Sequence, residues 1–334
     1  MNISPINFLK INNVKFTPQK NSIRLRGLNA DSVSFSSNYL KSSQHIEDAV
    51  DLGYQIYFNS LQKSSFSPQK FLARKEKNVQ ILSTGELRKE RADAENYCAY
   101  FSCEYDDDIL PTDMKLYIGD KPKSSNSMVR LTHAMEIAHE YTHLKQTTDN
   151  SDAEFLKELC NGDKEYLLLL NGLGRAVFSI FDTYIQAELV TKTFDLAKIQ
   201  NFLLQTGKIM PHIKETDKEQ FLKINGFGNQ DSFNLFFKRI FDEIFDSMFE
   251  KINNNTVDIE PRVKDAFMSF LAKEGSLTQL RKDVKKYCAY IAQAEYEAYT
   301  TESKLAKKVM RTDSSLNIDS FPIYYNLLHD ALNN

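Results

Sequence analysis

Of the six histidines in this 334-residue chain, His139 and His143 flank a carboxylate in the run His139-Glu140-Tyr141-Thr142-His143. Residues four apart on an α-helix share a face, so both imidazoles can turn a ring nitrogen towards one ion. Paired imidazoles suit Zn2+, which in a catalytic site takes one more protein ligand and keeps a position for water. Glu140, next to the first imidazole, is placed to take a proton from that water. The chemistry expected of these residues is metal-assisted hydrolysis, with His139 and His143 as ligands and Glu140 as general base.

A third ligand must come from elsewhere in the chain. Residues 283–310 read as one long helix, because Val284, Tyr287, Cys288, Ile291, Ala298, Leu305 and Val309 trace an apolar stripe at helical spacing. Glu295 falls on that stripe, where a carboxylate is costly to bury unless it is paired or bound to a metal. At about 100° per residue Glu297 points roughly 160° away, so it is expected in solvent. Glu297 and Glu188, the latter in the helical run 184–189, are the alternatives to Glu295. Glu302, two turns beyond Glu295, reads either as a partner of the ligands or as a residue at the edge of the buried face. Tyr299, one turn beyond Glu295, reads as a packed core tyrosine or as a donor to a developing oxyanion. His133 lies off the face of His139 and is expected to be structural or exposed.

The motif needs a helix, and its flanks supply one. Residues 128–146 contain neither Gly nor Pro, Met128, Leu131, Met135 and Ala138 recur at helical spacing, and Ser124, Ser125 and Asn126 offer N-cap chemistry.

The stretch Ala138-His139-Glu140-Tyr141-Thr142-His143-Leu144-Lys145-Gln146 resembles the active-site helix of the zincin metallopeptidases. The stretch Ala294-Glu295-Tyr296-Glu297-Ala298-Tyr299-Thr300-Thr301-Glu302 resembles the second half of a gluzincin pattern. There a helical Glu ligand is followed three residues later by Ala and four later by Asp. Glu295 and Ala298 match this pattern, whereas Tyr299 stands in the place of the Asp. The resemblance covers these two short pieces. It implies one Zn2+, hydrolysis of peptide bonds in a protein or peptide, and an α+β, mainly helical, zincin-like domain. A small N-terminal sheet would lead into the active-site helix, with a large helical part after it. It also implies an edge strand above the cleft that pairs with extended peptide. By chain order residues 114–118 are expected to be that strand.

The elements follow from period and punctuation. Strands are expected over 79–82, 96–105 and 114–118, with 64–77 a basic, polar connection between helix 45–61 and the first strand. The acidic run Asp106 to Asp108 reads as a solvated turn. Helices are expected over 152–160, 164–196 with a break at Gly172 and Gly174, 198–207, 218–222, 231–252, 262–273, 283–310 and 324–332. Residues 1–43, rich in Asn, Ser and Lys and without sustained periodicity, read as a disordered polar tail. Residues 44–334 then form the folded domain, with its sheet and motif helix in 44–150 and its helical part in 151–334.

Composition narrows the classes. A net charge of −3 argues against a general nucleic-acid binder. With only 11 Gly and 8 Pro, the chain favours long helices over a turn-rich β-fold. Trp is absent, so Phe and Tyr must supply the aromatic core. Cys98, Cys103, Cys160 and Cys288 lack paired metal-ligand spacing, and free thiols in a reducing compartment are expected. Residues 166–181 come nearest to a membrane span, but Asn171, Gly172, Gly174 and Arg175 interrupt them, so a buried helix of a soluble protein is expected. The N-terminus lacks the pattern of a cleavable signal, which leaves a cytoplasmic protein or one exported by a signal-peptide-independent route. The leading reading is a soluble zinc endopeptidase. The alternatives are a zincin fold that has lost hydrolysis and binds a partner, such as a secreted bacterial effector, and a metal-free helical interaction protein.

Overall fold

The computed structural model describes residues 39–62, 65–90, 98–106, 108–120, 126–148, 151–185, 217–256, 261–273, 275–310 and 319–333. They are mainly helical with one small sheet. The expected helix 198–207 and Glu188 lie outside the described residues, as does most of the expected tail.

Helix α1 (Tyr39–Leu61) takes up the last five residues of that expected tail. It buries Ile46, Ala49, Val50, Leu52, Ile56 and Tyr57, the spacing of one helical face. The basic connection expected over 64–77 is instead occupied by helix α2 (Pro68–Lys75). Ser67 caps it by accepting from the Lys70 N–H, and Pro68 opens the first turn, where its missing N–H costs nothing. Strand β1 (Gln80–Leu82) and a short helix α3 (Thr84–Glu90) follow. The start of α3 is tied down by the Glu86 carboxylate, which accepts from both the backbone and the hydroxyl of Ser83 at 2.7 Å.

Strands β2 (Ala99–Tyr105) and β3 (Pro111–Ile118) complete a three-stranded sheet of order β1-β3-β2. Here the sequence expectation needs correction. The strand at 114–118 is central, because β1 pairs with β3 in parallel while β2 pairs with it antiparallel. Among the described residues the two edges of the sheet are β1 and β2. The turn between β2 and β3 is built on Asp106, whose side chain accepts from the N–H groups of Asp108 and Leu110.

The motif helix α4 (Ser127–Thr148) begins at Asn126, whose side chain accepts from the Met128 N–H. After it come α5 (Ser151–Cys160), α6 (Lys164–Ile185), α7 (Lys218–Ile224), α8 (Gln230–Asn253), α9 (Pro261–Ala272), α10 (Leu277–Val309) and α11 (Ser320–Asn333). Helix α6 runs unbroken through Gly172 and Gly174, contrary to the expected interruption. The two glycines serve close helix approach. A Cβ on Gly172 would lie 2.5 Å from the Val263 side chain, and one on Gly174 would lie 2.5 Å from the Tyr287 ring. No described helix is long and apolar enough to cross a membrane.

Two apolar cores result. One lies between the sheet, α1, α2, α4 and the last turns of α10, around Leu72, Phe101, Leu116, Leu131, Ile137 and Leu305. The other lies among α5 to α11, around Leu170, Phe237, Phe241, Phe267, Val284, Ile291 and Leu328. The 33-residue α10 contributes to both and packs against α1, α4, α6 and α11. The four cysteines are free thiols, three of them buried.

Candidate metal centre

Where α4 crosses the middle of α10, the motif and the predicted third ligand meet. The two Nε2 atoms of His139 and His143 are 3.2 Å apart. Glu295 Oε2 lies 3.5 Å from the His139 Nε2, and Glu295 Oε1 lies 3.8 Å from the His143 Nε2. Donors 2.0–2.1 Å from a tetrahedral Zn2+ would themselves stand about 3.3 Å apart. The His, His and carboxylate set therefore matches that ion in both spacing and donor type. His143 is buried, and the side chains of His139 and Glu295 are 12% and 18% exposed, so the cluster is reached from one side.

Several carboxylates bear on the cluster: Glu136, Glu295 and Glu302 act on His139, and Glu140 adds its charge beside His143. Burial alone would lower the affinity of His139 for a proton, but the Glu295 and Glu302 carboxylates outweigh it and raise its pKa well above the ordinary histidine value. Burial lowers the pKa of His143. Burial raises that of Glu136, one turn before Glu140, although a hydrogen bond with the Cys98 thiol opposes this.

Each histidine has a partner behind the ring nitrogen it turns to the cluster. His143 Nδ1 is 2.9 Å from Gln146 Oε1. His139 Nδ1 is 2.8 Å from Glu302 Oε1, at contact distance but without the alignment of a ring N–H hydrogen bond. Such outer partners fix ring orientation and tautomer at metal sites. Tyr299, at the place where the resemblance expects an Asp, meets the His139 ring edge-on with centroids 4.7 Å apart. It also stacks on Phe321 and Tyr325. The orienting carboxylate comes from Glu302, the next turn of α10. Burial first, then the charges of Glu295 and Glu302, raise the pKa of Tyr299, so its phenol holds its proton.

Glu140 faces the sheet. Its Oε2 accepts from the backbone N–H of Phe101 at 2.8 Å, so β2 turns its outer edge to the motif helix. Residues 99, 101 and 103 also point their side chains into the core between sheet and helix. The Thr142 and Thr301 hydroxyls share a 2.9 Å hydrogen bond that fastens α4 to α10 beside the cluster.

The structure thus gathers His139, Glu140, His143 and Glu295, and it places Glu302 behind His139. It corrects the expectation for Glu297, which is not in solvent but 1% exposed, with its carboxylate accepting from Gln146. Helix α10 is enclosed on several sides here, so a residue facing away from Ile291 still faces protein. Of the two readings of His133, structural or exposed, the structure gives the first: the side chain is buried, next to the backbone of Gly119 and Asp120 beyond β3. Gln146 and Phe101 were not anticipated. Gln146 had a legible signal, since it lies three residues after His143 on the motif face; the Phe101 contact depends on sheet order and had none.

No protein-family model, curated protein or solved structure matches the chain.

Proposed function

We propose that the chain is a zincin-like metallopeptidase that uses one Zn2+ to hydrolyse peptide bonds in a protein or peptide substrate. The observation that carries this reading is the convergence of His139, His143 and Glu295 donor atoms, with Glu295 more than 150 residues from either histidine in the chain, beside the Glu140 carboxylate. A bound divalent ion supplies Lewis acidity, making water nucleophilic near neutral pH and polarising the scissile carbonyl.

The rest falls to the chain's own residues. His139, His143 and Glu295 hold the ion, and Glu302 and Gln146 fix the two rings. Glu140 takes the water proton on a carboxylate oxygen and passes it to the leaving amine. The Phe101 N–H holds that carboxylate at the mouth of the cluster. Extended peptide adds along the outer edge of β2, next to Glu140, where strand-like main-chain hydrogen bonds align the scissile bond. Tyr299 packs the wall behind His139.

Glu140→Gln is the decisive variant. It removes the proton acceptor and keeps the ligands, so it should retain zinc and lose proteolysis by 10²-fold or more, on the order of a general-base contribution. Undiminished cleavage by Glu140→Gln would contradict the mechanism. A wild type that holds zinc and captures peptides without cutting them would favour the binding-protein alternative.

A further inference from the structure

A line of hydrogen bonds runs from the metal-facing ring of His143 into the buried seam between α4 and α10. Gln146 Oε1 meets His143 Nδ1 at 2.9 Å, and Gln146 Nε2 donates to Glu297 Oε2 at 2.7 Å and to the Ala294 carbonyl at 3.3 Å. The other Glu297 oxygen accepts from Gln293 Nε2 at 3.0 Å. His143, Gln146 and Glu297 are 3%, 1% and 1% exposed, so water does not substitute for these partners.

We propose that Gln146 and Glu297 are a positioning pair that fixes the proton of His143 on Nδ1 and so keeps its Nε2 lone pair free for the cation. A glutamine amide has two faces, and only its partners decide which way it points. The Ala294 carbonyl can only accept, and both Glu297 oxygens face amide NH2 groups. A flipped Gln146 would press its oxygen against theirs, so its NH2 must face α10 and its oxygen must face His143. That oxygen also only accepts, and therefore the imidazole must carry its hydrogen at Nδ1. A neutral imidazole has one N–H, which leaves Nε2 unprotonated on the side of His139 and Glu295. Glu297, which the apolar stripe of α10 had sent to solvent, sets the tautomer of a ring it does not touch.

The inference rests on the metal reading above, and the experiment separates the two. Long-range 1H–15N spectra of the metal-free full chain read the His143 tautomer directly, whether or not metal binds. Chelator competition with Zn2+ and Co2+ reads affinity. Wild type should show the Nδ1–H form. Glu297→Leu removes the 2.7 Å acceptor and leaves only the 3.3 Å Ala294 contact to hold the Gln146 amide; it should populate the Nε2–H form and weaken metal binding by about 10–100-fold, the usual cost of losing an outer partner. Glu297→Gln can still present an oxygen to Gln146, so it should keep the wild-type tautomer and stay within a few-fold in affinity. That rescue would not be expected if Glu297 mattered only as a buried charge. An Nε2–H His143 in wild type would overturn the proposal, as would a Glu297→Leu chain with unchanged tautomer and affinity. If Glu297→Leu fails to fold, the wild-type tautomer and the Glu297→Gln affinity still decide the matter. Zinc-free wild type with the Nδ1–H tautomer would sink the metal reading and leave the pair standing.

Discussion

Helices α4 and α8 have nearly the same length, 22 and 24 residues, yet they bury opposite kinds of face. Helix α8 buries Phe233, Phe237, Ile240, Phe241, Ile244, Phe245, Met248 and Ile252, a stripe with no polar member. The buried set of α4 includes His133, Thr142, His143, Gln146 and Thr147. Burying polar groups costs stability unless each finds a partner. On α4 the partners are specific and mostly lie on α10: Thr301 for Thr142, Glu297 for Gln146. The contrast separates two uses of a helix. Helix α8 joins the helical half through its apolar stripe, with ion pairs from Asp242 and Asp246 to Arg281 only at its exposed side, and many apolar side chains could fill that stripe. Helix α4 gives up apolar burial along one face to keep a set of polar atoms in fixed directions. A sequence retains such a face where chemistry requires it.

The comparison can be tested by trading residues on each side. The largest effect is expected on α8. Phe237→Ala removes a fully buried ring and should destabilise the chain by about 3–5 kcal/mol in denaturant unfolding. Zinc bound per folded chain should not change, since no residue of α8 belongs to the cluster. Loss of metal under conditions where the variant remains folded would show that the two halves are not separable in this way.

An intermediate effect is expected at the α4–α10 seam. Thr301→Val leaves the buried Thr142 hydroxyl without its partner across the seam and should cost about 1–2 kcal/mol. The double variant Thr142→Val with Thr301→Val removes both groups at nearly constant shape. It should recover part of that loss, with a coupling energy of about 1 kcal/mol in a double-mutant cycle. Strict additivity would mean that the hydroxyl pair contributes nothing specific.

The smallest effect concerns a charged clamp at the end of the helical half. Burial would raise the pKa of Asp330, but His329, Gln230 and Lys218 lower it to about 2. A carboxylate depressed below its ordinary value of about 3.9 contributes stability that is complete above that value and is lost as pH falls through the folded one. Asp330→Asn should therefore cost at most about 1 kcal/mol near neutral pH, since the group is half in solvent. It should also flatten the fall in stability between about pH 4 and pH 2. An unchanged acid limb in pH-dependent unfolding would remove Asp330 from the account.

The same contrast explains what could be read from the sequence. Helix α8 was expected over 231–252 and spans Gln230–Asn253, because its apolar stripe states both period and limits. Glu295 was legible for a related reason, as a carboxylate on a stripe that otherwise buries apolar groups. Helix α4 was legible as a helix through its lack of Gly and Pro, but its polar packing was not, because period says which residues share a face and not what that face meets. Glu297 was lost to the same limit: no side of α10 faces solvent at that level. The place of β3 at the centre of the sheet depends on parallel pairing with β1, a long-range choice that chain order does not encode. The Ser67-Pro68 start of α2 was a local signal that a basic composition outweighed in the reading.

The central claim is that His139, His143 and Glu295 together hold one metal ion. Elemental analysis of the purified full chain, beside His139→Ala, His143→Ala, Glu295→Ala and Glu297→Gln variants, tests it most directly. The account predicts one zinc per chain in wild type and in Glu297→Gln, and a sharp loss in the other three. Wild type that neither carries zinc nor takes it up, or Glu295→Ala that retains it in full, would contradict the account.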